Sequence, residues 1–532
     1  MKIATSFPQG LKPASFLAAI LARLTSRPYA EGRQELTAVA GGVVGWAVLA
    51  ACCAVPMHAQ QSKPWEKIPI PPLKQFKPQQ PKRIDLKNGI VLFLQEDHEL
   101  PFVSGTILIQ GGSSMEDPAK TGLVSLYGEA WRTSGTAKTS GDQMDDLLEA
   151  KAAHIETSGG LETTSLSWDS LKGDTDQVFS LAMDLLLHPK FDPMKLRLAQ
   201  QQMAAGIVRR NDDESQIASR EAAKLVYGAD SAYTRQPELK TIGSVTVADL
   251  QAFHDKTIGD RMIVGISGDF DPAAMEAKLR AAFESLPAVN KVPPHHEDFH
   301  PPQRAVYFID KQDVNQSNIQ IVGLGTDRHN PDVPSIAVMN DILGGGFASR
   351  LFQTVRTKLG LAYAVGGGMG FAYDHPALFN VEVLTKSAST VDATKAALDQ
   401  IAGMNTQPFT EEELKRSKDD ILNSFLFRYD TPDKVLAERM RLEFYGYPAD
   451  YLEKYESALR TVTVADLKAA AKKYIHPDEL AVLVVGNGPE IKPGLDALGL
   501  GTPKAIDITI PGMPQGGPGP GPGPGSGAEE KQ

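Results

Sequence analysis

The sequence predicts an α+β fold built as a tandem duplication of two α/β sandwich domains, each with helices packed on a mainly antiparallel sheet. Three observations carry this reading. The hexapeptide Val245-Thr246-Val247-Ala248-Asp249-Leu250 recurs letter for letter as Val462-Thr463-Val464-Ala465-Asp466-Leu467, 217 residues on. Landmarks elsewhere keep the spacing: Lys190-Phe191-Asp192 matches Pro408-Phe409-Thr410, and Tyr227-Gly228 matches Tyr445-Gly446, both at an offset of 218. Within each copy, strand-like and helix-like runs come in groups rather than in strict alternation, the pattern of a sheet with helices on one face.

The elements follow in chain order. GIVLFLQ from Gly89 and VSGTILIQ from Val103 are rich in β-branched residues and read as strands. Helical spacing follows at 119–132 and 141–153, a β-rich stretch at 162–170, and helices at 174–187, 193–210 and 247–256. The repeated hexapeptide marks helix starts, because Thr246 and Thr463 suit the N-cap and Asp249 and Asp466, three residues on, complete a capping box. Each copy then reaches a glycine through an apolar run, MIVGISGD from Met262 and LAVLVVGN from Leu480. The second copy opens with strands at 305–309 and 317–324 and a helix at 333–343.

With 532 residues the chain has room for two to four domains, and 42% hydrophobic content is ordinary for globular protein. A net charge of −11 gives no basic footprint, which argues against a nucleic-acid partner. Both cysteines, Cys52 and Cys53, lie in the uncharged run AVAGGVVGWAVLAACCAVPM from Ala38, with Arg27 and Arg33 upstream. That run reads as an export signal, with localisation in the periplasm or on a membrane facing it. Three fates fit: cleavage after Met57-His58-Ala59, lipidation of Cys52 within Leu49-Ala50-Ala51-Cys52, or retention as a membrane tether. The expected organisation is a leader or anchor at 1–59, a Pro/Lys-rich tether at 60–82, domains at 83–289 and 304–500 joined by a Pro/His-rich linker at 290–303, and a disordered Gly/Pro-rich tail at 501–532.

Two motifs suggest chemistry that their context refuses. His296-Glu297-Asp298-Phe299-His300 spells His-Glu-x-x-His, a zinc signature that works only when a helix sets both imidazoles on one face. Pro293-Pro294 before it and Pro301-Pro302 after it forbid that helix. Gly344-Gly345-Gly346 lacks the Lys-Ser/Thr that completes a phosphate cradle, and reads as a turn, as does Gly366-Gly367-Gly368.

The run Ile342-Leu343-Gly344-Gly345-Gly346-Phe347-Ala348-Ser349-Arg350-Leu351-Phe352, then Val355-Arg356 and Gly360-Leu361-Ala362-Tyr363, resembles the second unit of the pitrilysin/insulinase peptidases, the family of the mitochondrial processing peptidase and the respiratory-complex core subunits. The likeness covers about residues 83 to 500. In active members, His-x-x-Glu-His on a helix plus a distant Glu binds zinc and polarises water. Here the resemblance lays the ligand positions on Ser125 and Glu129, the general-base position on Gly128 and the distant glutamate near Gly206, so the chain is expected to bind no metal of its own. The resemblance also implies an Arg/Tyr pair that supports substrate and transition state, which falls on Arg356 and Tyr363, with Phe352 one turn before Arg356 as an apolar subsite. It implies, further, a non-catalytic, peptide-binding subunit of a heterodimeric zinc endopeptidase whose partner carries His-x-x-Glu-His and the zinc. The alternative is a structural or peptide-binding scaffold with no hydrolytic role.

Overall fold

Each copy of the repeat contributes a six-stranded sheet, and five of the six strands follow the same order in both. The computed structural model describes residues 77–513 except 291 and 294; the leader or anchor, the tether up to residue 76 and the tail from 514 lie outside the described residues. In the first copy the strands are β1 (Lys82–Asp85), β2 (Val91–Glu96), β3 (Phe102–Gln110), β4 (His154–Gly159), β5 (Thr163–Leu171) and β6 (Met262–Gly268), ordered β1-β2-β6-β3-β5-β4. Every pairing is antiparallel except β2 with β6. In the second copy β7 (Val306–Asp310), β8 (Gln316–Leu324), β10 (Ala364–Met369), β12 (Leu378–Lys386), β13 (Ala481–Gly486) and β14 (Lys504–Ala505) are ordered β10-β12-β8-β13-β7-β14. Two short strands, β9 (Thr326–Asp327) and β11 (Phe371–Ala372), pair separately. The glycines at 366–368 are part of β10 rather than a turn; β10 has a neighbour on one side only, so it tolerates residues with nothing to pack.

The helices of the first copy are α1 (Leu123–Ser134), α2 (Gly141–Glu149), α3 (Thr175–Leu187), α4 (Pro193–Arg209), α5 (Glu214–Tyr227), α6 (Leu239–Gly243), α7 (Val247–Thr257) and α8 (Pro272–Phe283). The second copy has α9 (Val333–Gly344), a π-helix at Phe352–Lys358, α10 (Thr390–Thr406), α11 (Glu411–Arg428), α12 (Pro432–Phe444), α13 (Tyr451–Thr461) and α14 (Val464–Tyr474). Both capping boxes form: the Thr246 and Thr463 amides donate to Asp249 at 2.7 Å and Asp466 at 2.9 Å, starting α7 and α14.

Helices on one face are only half of the arrangement. The second face of each sheet is covered by a helix from the other copy. Ile217, Ala218, Ala222 and Val226 of α5 pack on Ile309, Val322, Ala481, Leu483 and Val485 of the second sheet. Leu436 and Met440 of α12 pack on Val91, Phe93 and Ile263 of the first. The approach is close, since a Cβ on Gly265 of β6 would stand 2.2 Å from the Met440 sulfur. Strands β6 and β13 are therefore buried on both faces, which is why their sequences are unbroken apolar runs instead of alternating ones.

Residues 504–513, within the segment expected at 501–532 as a disordered tail, pack on the body. Lys504–Ala505 pairs with β7, and Ile510 is only 7% exposed in the hydrophobic core of the first copy. Three isoleucines between 506 and 510 give this segment apolar surface to bury, which the Gly/Pro repeats beyond it lack.

One buried polar pair ties α1 to α7. Tyr127 Oη and His254 Nδ1 lie 2.9 Å apart, and His254 is 3% exposed, edge-on to Trp131 and Phe191. Burial pushes the imidazole down to about 4, below its ordinary 6.5. A depressed value stabilises the fold above the unfolded value and loses that stabilisation as pH falls through the folded one. Unfolding measured from pH 7 to 4 is expected to lose about 3 kcal/mol through this group, and His254→Gln, which keeps a partner for Tyr127, is expected to flatten that part of the profile. An unchanged profile in the variant would assign the acid loss to other groups.

Candidate functional site

The helix expected to carry the metal chemistry, α1, starts at Gly122, whose φ of 104° is left-handed. Its first amides are held by Glu116, whose carboxylate accepts from the Gly122 amide at 2.9 Å and the Val124 amide at 3.1 Å. Burial raises this carboxyl, and the amide bonds oppose the rise. Ser125 and Glu129 are exposed on the helix, and Gly206 is exposed on α4 with open space where a side chain would stand. Gly128 alone of the four positions is buried.

The reason is a helix–strand crossing with no room for a side chain. A Cβ on Gly128 would lie 2.4 Å from the Gly159 amide nitrogen and 2.8 Å from the Ser158 carbonyl carbon. A Cβ on Gly159 would in turn lie 2.1 Å from the Val124 carbonyl oxygen. The contact is bonded as well as tight: the Thr157 hydroxyl donates to the Gly128 carbonyl at 2.6 Å and accepts from the Arg132 amide at 3.1 Å. Where a general base would reach for water, β4 lies against the helix backbone. One exposed hydroxyl, one exposed carboxylate and two glycines do not fit a zinc ion. Among the described residues, no group of three or more His, Cys, Asp or Glu side chains is placed to hold a metal.

The other half of the expected site lies in the second copy. The π-helix sets Phe352 and Arg356 so that the guanidinium sits 4.7 Å from the Phe352 ring centroid. Phe347, 77% exposed, meets Phe352 edge-on at 5.0 Å. Gly360, at a φ of 64°, turns the chain toward β10, and the Tyr363 amide donates to the Leu384 carbonyl at 3.1 Å. Tyr363 is 40% exposed, and partial burial together with Glu214 of α5 raises its hydroxyl, so it stays a proton donor at neutral pH. It opens on a depression of about 550 Å³ lined also by Gln316, Lys386 and Glu490, which neither Arg356 nor Phe352 lines. The structure thus brings Phe352, Arg356 and Phe347 into one stack and sets Tyr363 on a separate depression.

The residues of the literal His-Glu-x-x-His form no helix. Glu297 is a structural acceptor, taking bonds from the Ser231 hydroxyl, the Ala232 amide at 2.8 Å and His295 Nε2 at 2.8 Å. Those bonds outweigh its burial and hold its carboxyl below the ordinary range. His296 and His300 are exposed.

A cavity between the two copies went unread in the sequence. It has about 980 Å³, and Glu162, Arg261, His295, His329, Asp374 and Tyr445 help to line it. Burial and the neighbouring Asp374 raise the Glu162 carboxyl. Its walls come from strand ends, the linker and the end of α12, so no local spacing could have revealed it.

Comparison with known proteins bears on the family and the fold. Residues 91–224 match "Insulinase (Peptidase family M16)" and residues 244–421 match "Peptidase M16 inactive domain", together more than half of the chain. The chain is 22% identical over 403 residues to the non-peptidase homolog YmxG of Helicobacter pylori, covering 75% of this chain and 92% of that one. It is 20% identical over 410 residues to an uncharacterized zinc protease, YmxG, of Bacillus subtilis, covering 76% and 98%. Among solved structures, the peptidase M16 inactive domain from Pseudomonas fluorescens superposes with a TM-score of 0.68 at 24% identity, covering 77% of this chain and 98% of that one. A protease from Helicobacter pylori superposes at 0.66 and 16% identity, covering 77% and 100%. A duplicated α+β chain with these matches belongs to the insulinase, or M16, peptidase family.

Proposed function

We propose that this chain is a non-catalytic, peptide-binding subunit of an exported heterodimeric zinc endopeptidase. The observation that carries the first part is the Gly128–Gly159 contact, which leaves no space for a general base on α1. The peptide-binding part rests on exposed Phe347 and Arg356 packed on half-buried Phe352 and on the phenol donor of Tyr363. A guanidinium on an aromatic face can hold peptide carbonyls, and a phenol can donate to a developing oxyanion supplied by a partner's zinc chemistry. The partner would carry His-x-x-Glu-His and the metal.

Purified alone, the chain is expected to bind no stoichiometric zinc and to cleave no peptide. Co-expressed with a zinc-bearing relative, it should form a complex in which Tyr363→Phe lowers kcat by roughly 10²-fold. Arg356→Ala should act mainly on KM. Full activity of a complex carrying both substitutions would sink the heterodimer reading.

One observation favours the scaffold reading: Tyr363 and Arg356 do not line the same depression. A scaffold would bind peptide with equal affinity whether or not Tyr363 is changed to Phe, and would not raise the activity of any zinc-bearing partner.

A further inference from the structure

We propose that residues 504–513 form a releasable C-terminal clasp that holds the two copies at a fixed opening around the cavity between them. The segment grips both copies within a few residues. On the second copy, Lys504 and Ala505 pair in parallel with Tyr307 and Phe308 of β7, the Ile506 amide donates to the Phe308 carbonyl at 2.9 Å, and Lys504 Nζ donates to Gln303 at 2.6 Å. Ile506 and Ile508 then lie against the cluster in which α5 covers the second sheet. On the first copy, Asn211, in the turn between α4 and α5, donates to the Ile508 carbonyl at 2.7 Å, and Ile510 enters the core with Met513 packed beside it.

Four residues separate Ala505 from Ile510, and an extended chain covers at most about 3.5 Å per residue, so the copies cannot part at this place while both grips hold. The pairing on the second sheet is short. The matching edge of the first sheet is β1, a four-residue antiparallel strand, whereas β14 has two residues, both exposed. Short exposed ladders open first in native proteins. Release needs withdrawal of Ile510 and Met513 from the first core and of Ile506 and Ile508 from the α5 cluster, with loss of the two-residue pairing and of the Asn211, Lys504 and Ile506 hydrogen bonds. The other covalent link between the copies, the linker at 290–303, is rich in proline and lines the cavity through Val292, His295 and His296, so its bending would change the cavity's width.

The test uses the full chain, Ile510→Asp, a truncation lacking 504–532 and a control truncation lacking 514–532, read by hydrogen exchange and small-angle scattering. The control should match the full chain. Ile510→Asp and the longer truncation should exchange at least 10-fold faster across 305–310 and around Asn290 and His295, with an increased radius of gyration and a single cooperative melt. Should the longer truncation not fold, Ile510→Asp combined with Asn211→Ala supplies the released state. Unchanged scattering and exchange in the folded variants would overturn the proposal. So would faster exchange confined to the first copy's core, which would make Ile510 packing and nothing more.

Discussion

Gly128→Glu is expected to cost about 3–5 kcal/mol and to lower the melting temperature by roughly 10 °C without creating any peptidase activity. The substitution restores the glutamate that active members of the family use, yet its Cβ would fall 2.4 Å from a backbone nitrogen of β4, and no rotamer of any side chain relieves a clash that begins at Cβ. The strand would have to move, and it is held to α1 through Thr157 and to β5 along its length. Ser125→His and Glu129→His, on exposed positions, should each stay within about 0.5 kcal/mol of the parent. Calorimetry of the three single variants, with zinc titration of the fourfold variant that adds Gly206→Glu, separates the cases. A fourfold variant as stable as the parent that bound one zinc would show that the helix–strand contact is not what closes the site.

Ile217→Asp should have the second large effect, and in the copy where it does not belong by sequence. Ile217 lies on α5, in the first copy, but its side chain is fully buried against the second sheet. Placing a carboxylate there is expected to cost about 4 kcal/mol, because neither the charged form nor the protonated one finds a partner among Val322, Leu483 and Val485. Hydrogen exchange should reveal lost protection in β13 and β8. Leu436→Asp on α12 should do the reverse, exposing β6 and β2 of the first copy. Lost protection restricted to the copy carrying the substitution would contradict the reciprocal cover.

Particular residues mark how far the sequence could be read. Capping boxes at Thr246 and Thr463, and helices such as 193–209 and 333–344, were legible because hydrogen bonds within a few residues and one apolar face decide them. Helix α5 was not placed, although Tyr227 at its end was a landmark of the repeat, because its apolar face answers a sheet more than eighty residues away. Strand β4 (HIETSG) was missed for a similar reason: as an edge strand whose register partner is β5, it needs little apolar content of its own. The π-helix at Phe352–Lys358 gives no spacing signal distinct from an ordinary turn of helix.

The sequence by itself determined the duplication and the α+β class, and its family resemblance pointed to Ser125, Gly128, Glu129 and Gly206 as expected metal-site positions and to Arg356 and Tyr363 as a candidate pair. All of these are properties of residue type and local order. Tertiary structure alone decided that Gly128 on α1 lies against β4 with no room for a side chain, that each copy's sheet is covered by the other's helix, that Tyr363 and Arg356 open separately, and that the C-terminal segment grips both copies. Each of these depends on which distant surfaces meet. Apolar burial sets that meeting by complementary shape, which no window along the chain records.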